Sequence, residues 1–320
     1  MAKEKRVSCI IVTYNRIDYL LKLIDALINQ TYAIENIIIV NNKSTDKTVE
    51  SLIDKKIINK ETLFDTITIN EYKGLKVLFY NSSVNTGGAG GFRKGFEIAK
   101  EIESDYFWVM DDDICPERDC LKNSIDSFDK EHLVCVPKRI GENFDDTVVL
   151  KYNFSNPFVH LFFDRVSKEI KNPNKTCEVK TFTFEGPIFS KEIMNIVGLP
   201  NDKYFLQGDD YDYAFRCLKY TNIYYLPNAI IHRQIPCSQK GNSDFKLWRL
   251  YYSIRNMALL DVRYCSNYFA KKLRPIWLKL RWYYVSIKQK NPRIRVVTKR
   301  AIHDACHNID GKIVELGETF

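Results

Sequence analysis

The sequence predicts an α/β protein: a mostly parallel, Rossmann-like sheet flanked by helices and followed by a C-terminal helical extension. Three observations carry that prediction. From residue 6 to about 113, short β-branched runs alternate with segments of helical spacing, a pattern that implies parallel strands joined by right-handed crossovers. The fourth run ends in three consecutive aspartates, Asp111, Asp112 and Asp113. Residues 245–320 hold 16 Lys and Arg against 5 Asp and Glu, so the net charge of +8 arises in the final quarter of the chain.

In order along the chain, RVSCIIVTY (6–14) reads as a buried strand, and IDYLLKLIDALINQ behind it carries apolar residues at helical spacing. NIIIVN (36–41) is a second buried strand, closed by Ser44, Thr45 and Asp46, which suit the turn and N-cap of a helix over TVESLI. KVLFYN (76–81) is a third strand. A glycine-rich loop, a helix opening near Phe92 in GFRKGFEIAKEI and the strand DYFWVMDDD follow. Beyond Cys115 the order becomes irregular. LVCVPKRI, TVVLKYNF and VKTFTF read as short strands of a mixed or antiparallel half, and SKEIMNIVGLP as a helix stopped by Gly198 and Pro200. From 245 onward, KLWRLYYSIRNMALL and YFAKKLRPIWLKLRWYYVSIK predict amphipathic helices rich in Trp, Tyr, Lys and Arg.

Composition bounds the function. With 320 residues, 45% of them hydrophobic, the chain has material for a full core, which excludes wholesale disorder, collagen-like repeats and a coiled-coil rod. The nine cysteines are odd in number and form no CxxC pair, which fits free thiols in a reducing cytoplasm. The N-terminus lacks signal-peptide form and no run reaches the roughly 18 apolar residues of a membrane span, so a soluble or peripheral protein is expected.

Three motifs can carry chemistry. In an extended stretch Asp111 and Asp113 point to the same side and can grip one divalent cation, which offsets the mutual repulsion of the triplet. A solvated acidic turn is the bland alternative. VNTGGAGGFRKG (84–95) can bring backbone N–H groups close to a diphosphate. It matches neither a P-loop nor a dinucleotide fingerprint, and a plain turn explains it equally well. FLQGDDYDYAFR (205–216) puts Asp209, Asp210 and Asp212 at the start of a helix, where they act either as caps or, for one of them, as a general base. His232, 22 residues beyond Asp210, gains significance only if it meets the aspartates.

Taken in order, VSCIIVTYNR, IIIVNNKSTDKT, NTGGAGGFRKGF, WVMDDDI, EGPIFSKEIMNIVGLPNDKYFLQGDDYDYAFR and His232 resemble the family 2 glycosyltransferases of the GT-A fold over roughly residues 6–235. The NTGGAGGF form looks most like the bacterial galactofuranosyltransferases, with rhamnosyltransferases close behind. The resemblance implies a catalytic domain over 1–240, with a nucleotide-sugar half (1–115) and an acceptor half (116–240), and a basic aromatic helical region over 241–320.

Residue by residue, it implies that Thr13, Tyr14, Arg16 and Asn41 sit by the nucleotide base. Asn41 stands where the family usually has Asp. Asn85, Gly87, Gly88, Gly90, Gly91 and Arg93, with Asp111 and Asp112, would line the nucleotide-sugar site. Asp111, Asp113 and His232 would hold Mn²⁺ or Mg²⁺, Asp210 would be the catalytic base, and Asp209 would contact the acceptor.

The implied activity is an inverting, metal-dependent transfer of galactofuranose from UDP-galactofuranose to a growing cell-surface glycan in polysaccharide biosynthesis. A dTDP-rhamnose donor is the alternative. The implied setting is cytoplasmic, peripheral on the inner face of the membrane. There an anionic lipid surface and a lipid-linked acceptor would be partners, and the tail aromatics also suit a subunit contact in a homo-oligomer. Two other classes fit less well. A nucleic-acid-binding protein would use the basic tail but leaves DDD, the glycines and GDD unexplained. A nucleotidyltransferase would carry glycines in its first strand-helix turn, which VTYNRIDY lacks.

Overall fold

The computed structural model describes residues 5–60, 63–161, 166–237 and 246–320. Its first part runs β1 (Val7–Thr13), α1 (Ile17–Ile28), β2 (Asn36–Asn41), α2 (Thr48–Asp54), β3 (Ile67–Tyr72), β4 (Leu75–Asn81), α3 (Gly87–Lys100) and β5 (Tyr106–Asp111). There follow β6 (Ile114–Pro116), α4 (Cys120–Ile125), β7 (His132–Ile140), β8 (Thr147–Tyr152), β9 (Ser167–Lys171) and β10 (Cys177–Val179). Next come β11 (Ile188–Ser190), α5 (Lys191–Val197), α6 (Asp209–Cys217) and β12 (Asn222–Arg233), and the tail is α7 (Leu247–Tyr264), α8 (Tyr268–Lys288) and α9 (Arg293–Cys306).

One ten-stranded mixed sheet has the order β10-β12-β7-β11-β5-β1-β2-β4-β3, with β6 on β12. Neighbours among β5, β1, β2 and β4 are parallel. The short β11 runs antiparallel between β5 and β7 and joins the two halves. All seven residues of β1 are buried, as a central parallel strand covered on both faces requires. Its period of two sends Cys9 and Ile11 toward Leu20, Leu23 and Leu27 of α1, and Ile10 and Val12 toward Phe92 and Phe96 of α3. Cutting Leu23 back to Ala would cost about 2–5 kcal/mol.

Two expectations change. The helix expected near Phe92 begins at Gly87, so the glycines form its first turns. The reason is close packing: a Cβ on Gly91 would collide with Val12, one on Gly95 with Ile10, and one on Gly87 with the carbonyl of Phe205. VKTFTF yields a strand only at its first residue, within Cys177–Val179. Phe182 and Phe184 instead join a buried aromatic cluster in which Phe184 lies 4.5 Å from Phe92. SKEIMNIVGLP behaves as read: the Ser190 hydroxyl caps α5 by accepting from the Ile193 N–H at 3.2 Å, and Gly198, at φ +80°, closes it.

The tail packs against the sheet domain. Tyr251, Tyr252, Leu259, Ile294 and Val297 share a core with Tyr204, Phe205 and Phe215. Tyr251, Tyr252 and Arg274 are therefore wholly buried. Arg274 spans 2.8 Å to Asp261, which satisfies both buried charges. Among the described residues no helix is long and apolar enough to cross a membrane. All nine cysteines are free. The expected boundary between residues 240 and 241 lies outside the described residues.

Candidate active site

Asp111 ends β5, and Asp112 and Asp113 form the turn into β6. Although the strand stops at Asp111, Asp111 and Asp113 both line one cleft of about 680 Å³, which also receives Arg16, Gly88, Glu185, Asp209 and Asp210. Asp112 is turned the other way. It accepts from the Thr13 hydroxyl at 2.8 Å, the Tyr14 N–H at 3.2 Å and Arg16 at 3.1 Å, tying the end of β1 to that of β5. Arg16 reaches Asp113 at 2.8 Å with the same nitrogen. Burial, then the neighbouring Asp113 and Glu185, holds the Asp111 carboxyl well above the ordinary carboxylate range. Burial also raises Asp113, against the pull of Arg16, and pushes Asp112 up to about 6.

The opposite wall is the start of α6. The approach to it is a tight loop in which Phe205, Gln207 and Gly208 have φ of +62°, +64° and +90°. Two non-glycine residues in this region are strained and need outside support. That support comes from α7. The Asn256 amide donates to the carbonyls of Tyr204, Leu206 and Gln207 at 3.1, 2.8 and 2.6 Å, and Arg255 donates to Tyr204 at 2.9 Å. Asp209 and Asp210 then occupy the first turn of α6, with Asp210 accepting the Tyr211 N–H at 2.8 Å. Burial raises Asp209 well above its ordinary range, helped by Asp210, and pushes Asp210 up to about 6.

Several expected residues stand elsewhere. Asn41 is 1% exposed; its amide donates to Asn81 at 2.9 Å and its carbonyl accepts the Ser44 N–H at 3.2 Å, so it braces the ends of β2 and β4. Arg93 lies with Glu97 and Asp202 outside this cleft. Asn85 caps the Gly87 N–H at 2.9 Å, and of the four expected glycines only Gly88 lines the cleft. His232 corrects the expected metal shell: its Nε2 lies 2.9 Å from Glu117 and its ring does not line the cleft. Strand alternation gives the reason, since His232 and Arg233 point opposite ways and it is Arg233 that enters the cleft.

Sequence reading passed over Glu185, Arg139, Arg233, Arg249 and Asn256. Arg139 reaches Glu185 at 2.9 Å and Asp146 at 2.8 Å. Glu185 sits inside the quoted EGP motif and Arg233 directly follows His232, so both had a signal. Asn256 had none.

Among the described residues the Asp111 side chain makes no hydrogen bond or ion pair, and none has three His, Cys, Asp or Glu arranged to hold a metal ion. Two carboxylates on one cleft, one of them unpartnered, suit a hard cation, which takes oxygen ligands.

The sequence model of "Glycosyl transferase family 2" matches residues 8–195. The galactofuranosyltransferase GlfT1 of Mycolicibacterium smegmatis is 22% identical over 308 residues, covering 89% of this chain and 91% of that protein. Residues 1–349 of S. aureus TarS share the fold with a TM-score of 0.52 at 12% identity, over 95% of this chain and 83% of that one. The mannosyltransferase PcManGT from Pyrobaculum calidifontis, solved with GDP-Man and Mn²⁺, gives 0.52 at 15% identity, over 96% and 76%.

Proposed function

Because the chain belongs to glycosyl transferase family 2 and is a glycosyltransferase of the GT-A fold, we propose that it transfers galactofuranose, with inversion, from UDP-galactofuranose to a hydroxyl of a growing glycan. The observation that carries the reading is one cleft lined by two acidic pairs, Asp111 with Asp113 and Asp209 with Asp210. Its support for the donor is the similarity to a galactofuranosyltransferase over nearly the whole chain.

In this reading Asp209 and Asp210 face the acceptor. Asp210 takes the proton of the attacking hydroxyl as its oxygen bonds to the anomeric carbon, and the bond from that carbon to the donor diphosphate breaks. A carboxyl near 6 is well matched to that role at neutral pH. One base and one displacement invert the centre, so no enzyme nucleophile is required. Asp111 and Asp113 would hold Mn²⁺ or Mg²⁺, which when bound neutralises charge developing on the diphosphate. Tyr14, 38% exposed just beyond β1, offers a ring face to the base.

The partner of the tail is proposed to be an anionic membrane surface, beside which a lipid-linked acceptor would be reached. Phe269, Ile276, Leu280 and Ile287 are exposed at helical spacing along one face of α8. Lys272 and Lys279 flank them, and each cation near an anionic leaflet adds about 1 kcal/mol.

The test is a donor panel of UDP-galactofuranose, UDP-galactopyranose and dTDP-rhamnose with Mn²⁺, scored by nucleoside diphosphate release. UDP-galactofuranose should turn over fastest. Turnover with dTDP-rhamnose alone would replace the donor, and release from none of them would sink the reading.

A further inference from the structure

The cleft is crowded with negative charge. Asp111, Asp113, Glu169, Glu185, Asp209 and Asp210 all line it, and in the reading above it must also admit a diphosphate. Arg16, Arg233 and Arg249 also line it, and Arg233 is held there by Glu185.

Arg233 closes β12 and lines the cleft with its side chain 20% exposed. Its Nε lies 3.3 Å from one Glu185 oxygen, and its Nη2 donates to the other at 3.3 Å. Its Nη1 donates to the Cys237 sulfur at 3.1 Å, and its guanidinium carbon lies over the Phe144 ring, 4.5 Å from the ring centre. A guanidinium has five N–H donors, so these contacts leave one on Nη1 and one on Nη2. Donors on neighbouring guanidinium nitrogens suit the oxygens of a phosphate. Glu185 is itself held at 2.9 Å by Arg139, so the group that orients Arg233 is fixed in turn.

We propose that Arg233 binds the diphosphate of the nucleotide donor through its free Nη1 and Nη2 donors, occupying the place in the cleft that sequence order suggested for His232. The proposal rests on the nucleotide-sugar reading of the cleft. It makes Glu185 the positioning residue that aims the fork and Phe144 the surface against which it rests.

The test separates phosphate from base. UDP and uridine are titrated calorimetrically into the full-length protein in excess EDTA, so that no metal contributes, for the wild type, Arg233→Gln and Arg233→Lys. Arg233→Gln should weaken UDP by about tenfold or more, the usual effect of losing a charged hydrogen-bond pair, and leave uridine unchanged. Arg233→Lys should recover part of the loss. UDP affinity in Arg233→Gln within about twofold of the wild type would overturn the proposal, as would an equal loss for uridine, which would mark a purely structural role. If the wild type binds none of UDP, dTDP and GDP, either in EDTA or with Mn²⁺, the nucleotide-donor reading itself falls, and the proposal with it.

Discussion

The amide of Asn256 on α7 donates to the main-chain carbonyl of Gln207 at 2.6 Å, two residues ahead of Asp209. Through this contact and its companions at Tyr204 and Leu206, the C-terminal helices hold the strained approach to the acidic turn of α6. The tail is thus a structural part of the site, whatever else it binds.

Asn256→Ala removes the amide whose two N–H groups serve all three carbonyls from a buried position. Stability should fall by about 2–4 kcal/mol, since three carbonyls lose a partner. The proposed base would lose its register, so kcat should fall by about tenfold or more while the KM for donor stays near its original value. Thermal melts and steady-state kinetics read both. An unchanged kcat in a destabilised but folded variant would show that the clamp does not position Asp210.

Asp210→Asn separates chemistry from stability. Burial lifts this carboxyl from 3.8 to about 6. The folded chain therefore holds the proton more tightly than the unfolded one, and the group costs nothing below about pH 4 but progressively lowers stability as pH rises through about 6. The neutral amide should stabilise the protein at about pH 7.5 by on the order of 1–3 kcal/mol and change little at about pH 4. At the same time kcat should drop by roughly 10² to 10⁴. In the wild type kcat/KM should decline as pH falls below about 6, because the base is then protonated. Near-normal turnover in Asp210→Asn would mark the residue as a helix cap, a role asparagine fills equally well.

Asp113→Ala should abolish metal-dependent nucleoside diphosphate release and weaken Mn²⁺ binding measured by titration, while the far-UV spectrum is retained. Arg16 keeps Asp112 as a partner in this variant, so the local ion pair survives. Full activity in Asp113→Ala, or in the wild type with excess EDTA, would remove the metal from the mechanism.

Two kinds of cation in α8 should behave differently. Arg274→Gln strips Asp261 of a partner at a wholly buried site and should cost about 3–5 kcal/mol, seen as a lowered Tm. Lys272→Gln with Lys279→Gln should leave Tm nearly unchanged but weaken flotation with anionic vesicles, as should Phe269→Ser with Ile276→Ser. Absence of flotation by the wild type at low salt would end the membrane proposal.

Local signals made much of this protein legible in its sequence. The β-branched runs, the helical spacing behind them, the DDD strand end and the GDD helix start are each written within a dozen neighbouring residues, and periodicity reads them directly. The glycine cluster read as a loop facing a diphosphate or as a plain turn; that it forms the first turns of a helix depended on Val12, Ile10 and Phe205 lying against it. Side-chain direction at the ends of elements was not legible. Asp112 turns from the cleft because Thr13, 99 residues earlier, donates to it. Arg233 rather than His232 enters because β12 lies with one particular face toward the cleft. Asn256 meets Gln207 across 49 residues with no shared motif. Sequence alone therefore determined the α/β order and the two acidic pairs, which local periodicity encodes. Only the tertiary structure decided which side chains share the cleft, because that depends on contacts between segments whose separation along the chain carries no periodic trace.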